Sequence, residues 1–102
     1  MFIYGTLTDP RQLSAVTGRE FTREPARLAG YCRLVARHGY PDLVVSPGSV
    51  VDGFLIRDVD PDSLRALDSY EDEGRLYRRR PVRVSVGDTV VDCEAYIGID
   101  AA

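Results

Sequence analysis

Apolar and polar residues alternate along much of the chain, which is the pattern of strands that have one buried face. Over 77–86, three valines at every second position would share one side of a strand. A Gly-Asp pair at 87–88 supplies a tight turn, and a second apolar run follows over 89–97. This pattern predicts an antiparallel hairpin.

The first half of the chain contains further apolar runs that proline and glycine separate. Gly30 lies inside one run, where glycine is typical of a bulge or of a close backbone approach. The pair Pro47-Gly48 indicates a turn between two others. These runs predict four more strands, over 1–4, 25–35, 43–45 and 49–57.

A short helix is predicted after the first strand. The strand breaks at Gly5 into a tight loop, and the helix begins at Pro10 with Thr8 or Asp9 as its cap. Gly18 would end it. A glycine turn before a helix is a natural site for a carboxylate or an oxyanion, although many such turns contain glycine for steric reasons alone.

A second helix is predicted in the acidic stretch that follows the first four strands. Asp60 can cap its first N–H groups, and Pro61 suits the first helical position. Gly74 is predicted to end this segment, since glycine readily adopts the left-handed conformation found at helix ends.

One narrow stripe of this helix combines leucines with a carboxylate. At about 100° per residue, Leu64, Leu67 and Glu71 fall together, with Tyr70 beside them. In one interpretation the helix frays near Leu67 and Glu71 is an ordinary solvated acid. In the other, Glu71 is held in a pocket, where burial raises its pKa toward the range useful for a general acid/base.

Six predicted strands and two short helices make the chain an α+β protein. Strands that follow one another in sequence favour antiparallel pairing, which predicts a small, mostly antiparallel β-barrel or curled sheet with the two helices against it. A length of 102 residues without repeats or linkers predicts a single domain over 1–102.

Composition narrows the classes of function. The net charge is −3 and the acids are scattered, so nucleic acid and anionic membranes are not expected partners. No run reaches the ~20 apolar residues that cross a bilayer, and signal-peptide features are absent. Lys is absent, which excludes Schiff-base chemistry. Cys32 and Cys93 are far apart and are predicted to be reduced thiols of a cytoplasmic protein.

The residues permit a narrow range of chemistry. His38 is predicted to be a loop residue, because no nucleophile and carboxylate accompany it at a known spacing. No metal cluster or dinucleotide fingerprint is present, so no cofactor is predicted. Glu71 and the glycine loop over 4–7 remain. One acid/base group with an oxyanion site suits an intramolecular acyl transfer, whose nucleophile belongs to the substrate.

Short motifs follow one another along nearly the whole chain, and the first is Tyr-Gly-Thr-Leu-Thr-Asp-Pro at 4–10. In their order these motifs resemble the gamma-glutamylcyclotransferase-like family, including its avirulence-induced branch. This resemblance implies a small barrel with flanking helices and a cavity between the glycine loop and the acidic helix. The further motifs are Leu28-Ala29-Gly30-Tyr31, Tyr40-Pro41, Val51-Asp52-Gly53, Leu67-Asp68-Ser69-Tyr70-Glu71, Tyr77-Arg78 and Ala95-Tyr96.

The resemblance implies a reaction and a site. In the family's characterised enzymes a gamma-glutamyl compound cyclises to 5-oxoproline and releases its amine, and Glu71 would be the general acid/base. Backbone N–H groups of the glycine loop would hold the substrate's α-carboxylate or the developing oxyanion. Arg78 is expected to pair with an acid such as Asp68 rather than to bind substrate. The implied substrate-binding residues are Tyr4, Gly5, Thr6, Leu7, Tyr77 and Tyr96, the last two with core packing as the alternative.

The chain departs from the family after Glu71, where it has Asp72-Glu73-Gly74 and many relatives have glycine directly. The two extra acids are expected to raise the pKa of Glu71 further and to disfavour anionic leaving groups. This favours a neutral or cationic gamma-glutamylamine as the substrate.

Two other classes of function stay open. A non-catalytic module would keep the pocket and bind a small metabolite with a carboxylate or amine group, and a surface interaction protein would bind none. Glu71→Gln separates the first from an enzyme, because it would abolish turnover in an enzyme but mainly change affinity in a binding module. The amine released and the oligomeric state are left open.

Overall fold

A computed structural model describes residues 1–35 and 41–98 of the chain. In chain order, these residues form the strand β1 (Phe2–Ile3), a 3₁₀ turn (Gly5–Thr8), the helix α1 (Pro10–Thr17), the strands β2 (Arg23–Val35) and β3 (Pro41–Ile56), the helix α2 (Pro61–Glu71), and the strands β4 (Tyr77–Val86) and β5 (Thr89–Gly98). The prediction for His38 lies outside the described residues.

The strands form one antiparallel sheet in the order β1-β3-β2-β4-β5. The predicted hairpin is confirmed, with Val86 paired to Thr89 around the turn. The α+β class is confirmed as well, but the sheet is curled and not closed in the part of the chain that the structure describes. A barrel requires its edge strands to pair. Here β1 has two residues, which pair with β3, and no ladder joins β1 to β5.

The prediction of two strands over 43–45 and 49–57 is wrong, because both belong to β3, which makes five strands rather than six. The Pro47-Gly48 pair is accommodated inside the strand, in an irregular stretch of β3 over 46–49 that lies opposite Gly30 of β2. Ala29 pairs with Val50 while Tyr31 pairs with Val45, so the ladder resumes after the irregularity. The irregularity predicted at Gly30, which has a φ of 87°, is confirmed, but the extra residues lie in the partner strand β3 rather than in β2.

Both helices begin where their caps were predicted. The Asp9 side chain accepts a hydrogen bond from the Arg11 N–H at 2.9 Å at the start of α1, and Gly18 ends that helix in the left-handed conformation. The Asp60 carboxylate accepts hydrogen bonds from the N–H and the hydroxyl of Ser63, at 3.2 and 2.6 Å. Neither helix is long and apolar enough to span a membrane.

Buried side chains form two clusters. One lies within the curl of the sheet, and the other joins the helices to the sheet. Gly53 lets β1 approach β3, since a Cβ there would lie 2.4 Å from the Ile3 carbonyl oxygen and 2.7 Å from the Phe2 ring. The second cluster supports the site described below and consists of Ile3, Leu7, Leu13, Ile56, Leu67, Tyr77 and Tyr96.

Candidate active site

Glu71 is the last residue of α2, so the helix continues well beyond the point where it was expected to fray in one interpretation. Leu67, one turn earlier on the same side, is fully buried, and Leu64 is half-buried. Residues four positions apart share a helix face. The predicted stripe therefore directs Glu71 toward the interior.

The helix ends immediately after Glu71. Asp72 adopts the left-handed conformation, with a φ of 54°, and the N–H of Glu73 donates to the Asp68 carbonyl at 2.9 Å. The prediction that Gly74 ends the segment is wrong by two residues, although Gly74 also has a positive φ, of 91°. Aspartate is one of the few residues other than glycine that tolerate this conformation.

Burial raises the pKa of Glu71 to about 7. The expectation that the next two acids contribute to this shift is wrong, because each is engaged elsewhere. The Asp72 carboxylate pairs with Arg75 at 2.6 Å, and the Glu73 carboxylate accepts the Arg79 backbone N–H at 3.2 Å. Within the described residues the Glu71 carboxylate has no hydrogen-bond donor, so desolvation dominates.

A cavity of about 540 Å³ opens beside Glu71. It brings together five of the predicted site residues, which come from three separate segments of the chain. The C-terminal end of α2 and the 3₁₀ turn therefore line the same cavity. The residues that line it are Tyr4, Gly5, Thr6, Ser69, Tyr70, Glu71, Asp72, Leu76 and Tyr77.

The predicted glycine loop is a 3₁₀ turn with Gly5 and Thr6 at its start. Gly5 has a φ of 73°, which favours glycine, and its carbonyl accepts the Thr8 hydroxyl at 2.6 Å. The first N–H groups of a helical turn have no partner within the turn. Those of Gly5 and Thr6 have no partner within the turn, and both residues line the cavity.

Two predicted substrate-binding residues do not line this cavity. Leu7 and Tyr96 are 2% and 3% exposed and pack in the cluster between helices and sheet. The Tyr96 hydroxyl donates to Oδ1 of Asp68 at 2.6 Å. Burial, and then the hydrogen bond to Asp68, raise the pKa of Tyr96 above its ordinary range.

Arg79, not Arg78, pairs with Asp68, which corrects the prediction. Nε of Arg79 lies 2.9 Å from Asp68 Oδ1, and Nη1 lies 3.1 Å from Glu94 Oε1. Side chains of a strand alternate between its faces, so Arg79 shares a face with the buried Tyr77 while Arg78 is exposed on the other. The carboxylate of Asp68 lies on that buried side.

Metal-binding geometry is absent from residues 1–35 and 41–98, where no three His, Cys, Asp or Glu side chains are grouped to hold an ion. Cys32 and Cys93 are half-buried free thiols.

Comparison with known proteins decides the family. The family model described as "Gamma-glutamyl cyclotransferase, AIG2-like" matches residues 1–101. The chain belongs to this gamma-glutamyl cyclotransferase family. AIG2-like protein C of Arabidopsis thaliana is 29% identical over 90 residues, which are 87% of this chain and 51% of that protein. The chain thus spans about half the length of the curated relative that it matches.

Solved structures of similar proteins share the fold. A solution structure of an Arabidopsis thaliana protein is 30% identical, with a TM-score of 0.84 over 98% of this chain and 61% of that one. The crystal structure of a mouse AIG2-like protein is 25% identical, with a TM-score of 0.77 over 100% of this chain and 78% of that one. A protein described as a gamma-glutamyl cyclotransferase is similar in fold alone, at 17% identity and a TM-score of 0.79, over 99% of this chain and 66% of that one.

Sequence analysis of this family member missed four residues that line the cavity: Ser69, Tyr70, Asp72 and Leu76. Tyr70 lies beside the predicted stripe of α2, which was a usable signal. Ser69 lies in α2 two residues before Glu71, whereas Asp72 and Leu76 belong to the turn after the helix, whose path depends on the left-handed Asp72. No local pattern indicated that turn.

Proposed function

We propose that this chain is a gamma-glutamyl cyclotransferase that converts a gamma-glutamyl compound into 5-oxoproline and an amine without a cofactor. The observation that carries this proposal is the Glu71 carboxylate, half-buried in the wall of the 540 Å³ cavity with a pKa of about 7. A group with a pKa near the working pH both accepts and returns a proton efficiently. Membership of the family supports the same reaction class.

Glu71 would take a proton from the substrate's α-ammonium group. The freed nitrogen attacks the γ-carbonyl carbon, which forms the ring C–N bond and a tetrahedral oxyanion. In the product the former α-nitrogen has lost two protons, the first of them to Glu71. As the C–N bond to the leaving amine breaks, both of these protons end on the leaving nitrogen. Glu71 returns to the carboxylate form, and no net proton is consumed or released.

The N–H groups of Gly5 and Thr6 would hold the α-carboxylate or stabilise the oxyanion. Among the described residues, the cavity lining contains no arginine or histidine, so a negative charge there would rely on uncharged donors such as these backbone N–H groups. Tyr4 and Tyr77 would wall the cavity and hold the substrate chain against Glu71. Such positioning supplies much of the rate of an intramolecular reaction.

The lining supports a neutral or cationic leaving amine. It contains two acidic residues and three tyrosines, whose ring faces attract cations. Asp72 contributes less negative field than its charge suggests, because Arg75 pairs with it. An amine that carries carboxylates would meet Glu71 without a compensating cation. We therefore place gamma-glutamylamines ahead of peptide-like compounds, and a cytoplasmic location fits such a substrate.

The test is a panel of gamma-glutamyl compounds incubated with the purified protein, with 5-oxoproline and the released amine measured by mass spectrometry. Glu71→Gln is expected to reduce the rate by at least about 10³-fold while the substrate still binds. Glu73→Gln is the matched control, since Glu73 is exposed and outside the cavity lining. If the wild type bound a compound without releasing 5-oxoproline, the proposed enzymatic activity would be overturned and a binding module would be favoured.

A further inference from the structure

Tyr96 is bonded to both halves of the candidate site, although it lies behind the cavity wall. Its hydroxyl donates to Asp68, which precedes Glu71 by three residues on α2. Its backbone carbonyl accepts the hydroxyl of Tyr4, which lines the cavity and directly precedes Gly5. One buried residue of β5 therefore contacts the segment that carries the acid and the segment that carries the N–H donors.

The Asp68 carboxylate is held from three directions. Besides the Tyr96 hydroxyl, it receives Nε of Arg79 at 2.9 Å and Nη2 of Arg79 at 3.3 Å, a bidentate arrangement. The same guanidinium reaches Glu94 at 3.1 Å. About a quarter of each side chain, Asp68 and Arg79, is exposed, so the pair is shielded from most of the solvent. These bonds fasten the last turn of α2 to β4 and β5.

The end of a helix frays unless something holds it. Glu71 is the last helical residue, and its own carboxylate has no hydrogen-bond donor within the described residues. The position of that carboxylate is therefore set by the backbone of the last turn, which Asp68 fastens to the sheet.

We propose that Tyr96 is a positioning residue that sets the separation between the Glu71 carboxylate and the Gly5–Thr6 turn. Its catalytic consequence rests on the function proposed above, whereas its structural consequence does not. A misplacement of about 1 Å in an acid/base group can cost about 100-fold in rate. Loss of the Tyr96 hydroxyl leaves the ring packed in the core but removes the direct hydrogen bond between the last turn of α2 and β5, so that only Arg79 still holds Asp68.

The surroundings of Glu71 give this proposal a second readout. The titratable groups that face the carboxylate are Asp72 from its own turn, Tyr4 from the N-terminal segment, Tyr77 from β4, and Tyr70 at the rim, with Tyr96 behind them. The charge of Arg79 is shared between Asp68 and Glu94. Because burial alone raises the pKa of Glu71, a looser turn that admits water is expected to lower it toward the ordinary value of 4.5.

The test compares Tyr96→Phe with Tyr31→Phe as the matched control. Tyr31 is half-buried in β2 and outside the cavity lining. In Tyr96→Phe we expect kcat to fall roughly tenfold with KM changed less than about threefold, because the defect is in orientation rather than binding. We also expect the titration midpoint of the Glu71 carboxyl, followed by carbon-13 NMR without substrate, to fall by about one pH unit. Tyr31→Phe is expected to change neither quantity.

A second variant tests the route through Asp68. In a protein that already carries Asp68→Ala, adding Tyr96→Phe is expected to produce no further change in kcat or in the Glu71 midpoint. If Tyr96→Phe lowered kcat and the Glu71 midpoint as much in this background as in the wild type, Tyr96 would not act through Asp68.

The outcomes distinguish a failure of the positioning role from a failure of the proposed cyclotransferase activity. An unchanged kcat together with an unchanged Glu71 midpoint in Tyr96→Phe overturns the positioning role and leaves the cyclotransferase standing. If the wild type releases no 5-oxoproline from any compound, the cyclotransferase fails, and the Glu71 midpoint in Tyr96→Phe still decides whether Tyr96 positions the acid.

Discussion

The side-chain oxygens of Thr6 and Tyr70 lie 2.8 Å apart, so a hydrogen bond joins the 3₁₀ turn to α2. Both residues line the cavity, and the bond is exposed to solvent. It connects the two halves of the site at the rim, as the Tyr96 bonds connect them on the buried side. The separation between acid and N–H donors is therefore restrained at two depths.

We expect the rim bond to be weak, because water competes for both hydroxyls. Thr6→Val and Tyr70→Phe should each lower the free energy of unfolding slightly, and the double variant should show a coupling of about 0.5–1 kcal/mol. Urea unfolding of the four proteins measures this coupling. Strictly additive effects would contradict a bond between the two hydroxyls in solution.

The half-buried Glu71 should make stability depend on pH. Its pKa is about 7 in the fold and about 4.5 as an ordinary side chain, so the folded state binds the proton more tightly. The contribution to stability is complete below pH 4.5 and is lost as the pH rises through 7. A shift of this size corresponds to about 3 kcal/mol.

Comparison with Glu71→Gln isolates this contribution, since glutamine stays neutral at every pH. We expect the variant to match the wild type near pH 4 and to be more stable by about 3 kcal/mol at pH 8. Urea unfolding of both proteins across this range measures the difference. A constant difference at all pH values would contradict a raised pKa, and Glu73→Gln should show no such trend.

Two arginines of β4 should differ sharply in their effect on stability. Arg79→Met leaves Asp68 and Glu94 without their cation in a shielded site, and we expect a loss of about 3 kcal/mol. Arg83 pairs with Asp92 at 2.8 Å, but both side chains are more than 70% exposed. Arg83→Met is therefore expected to cost at most about 0.5 kcal/mol. Equal losses, measured by thermal unfolding, would contradict the difference in burial.

The left-handed backbone at Asp72 predicts a stabilising substitution. Asp72→Gly should raise the free energy of unfolding by about 0.5–1 kcal/mol, because glycine has no Cβ to strain a φ of 54°. Asp72→Asn is the control, as it removes the pair with Arg75 and keeps a Cβ that tolerates this conformation. If the two variants were equally stable, backbone strain at this position would be excluded.

The same geometry explains how Asp72 ends the helix directly after Glu71. Glycine would suit a residue that must turn left-handed to end a helix, and here Asp72 adopts that conformation instead. The acidity of Asp72 is therefore not needed to explain the pKa of Glu71, which follows from burial.

Local interactions made part of this molecule predictable from sequence. The caps at Asp9 and Asp60 act within three residues of themselves, so neighbours in the chain suffice to place both helix starts. The β4–β5 hairpin follows from alternation and a two-residue turn. The stripe with Leu67 and Glu71 follows from helical spacing alone, which placed the Glu71 side chain on the same face of α2 as the buried Leu67.

Contacts between distant segments decided the rest. The Pro47-Gly48 pair has the local chemistry of a turn, yet β2 runs alongside and restores the ladder, so one strand results where two were predicted. The pairing of Asp68 with Arg79 rather than Arg78 depends on which face of β4 meets α2. Such outcomes depend on side chains that are far apart in sequence, and local patterns carry no information about them.

The sequence by itself therefore determined the helix starts, the β4–β5 hairpin, the family motifs and the place of Glu71 on the inward stripe of α2. The tertiary structure alone decided that the sheet stays open, that Leu7 and Tyr96 lie behind the cavity wall, and that Tyr96 contacts both halves of the site. The physical reason is that propensities and caps act over one or two turns of chain. Burial, desolvation of Glu71 and the hydrogen bonds of Tyr96 arise only when α2, β4, β5 and the N-terminal segment pack together.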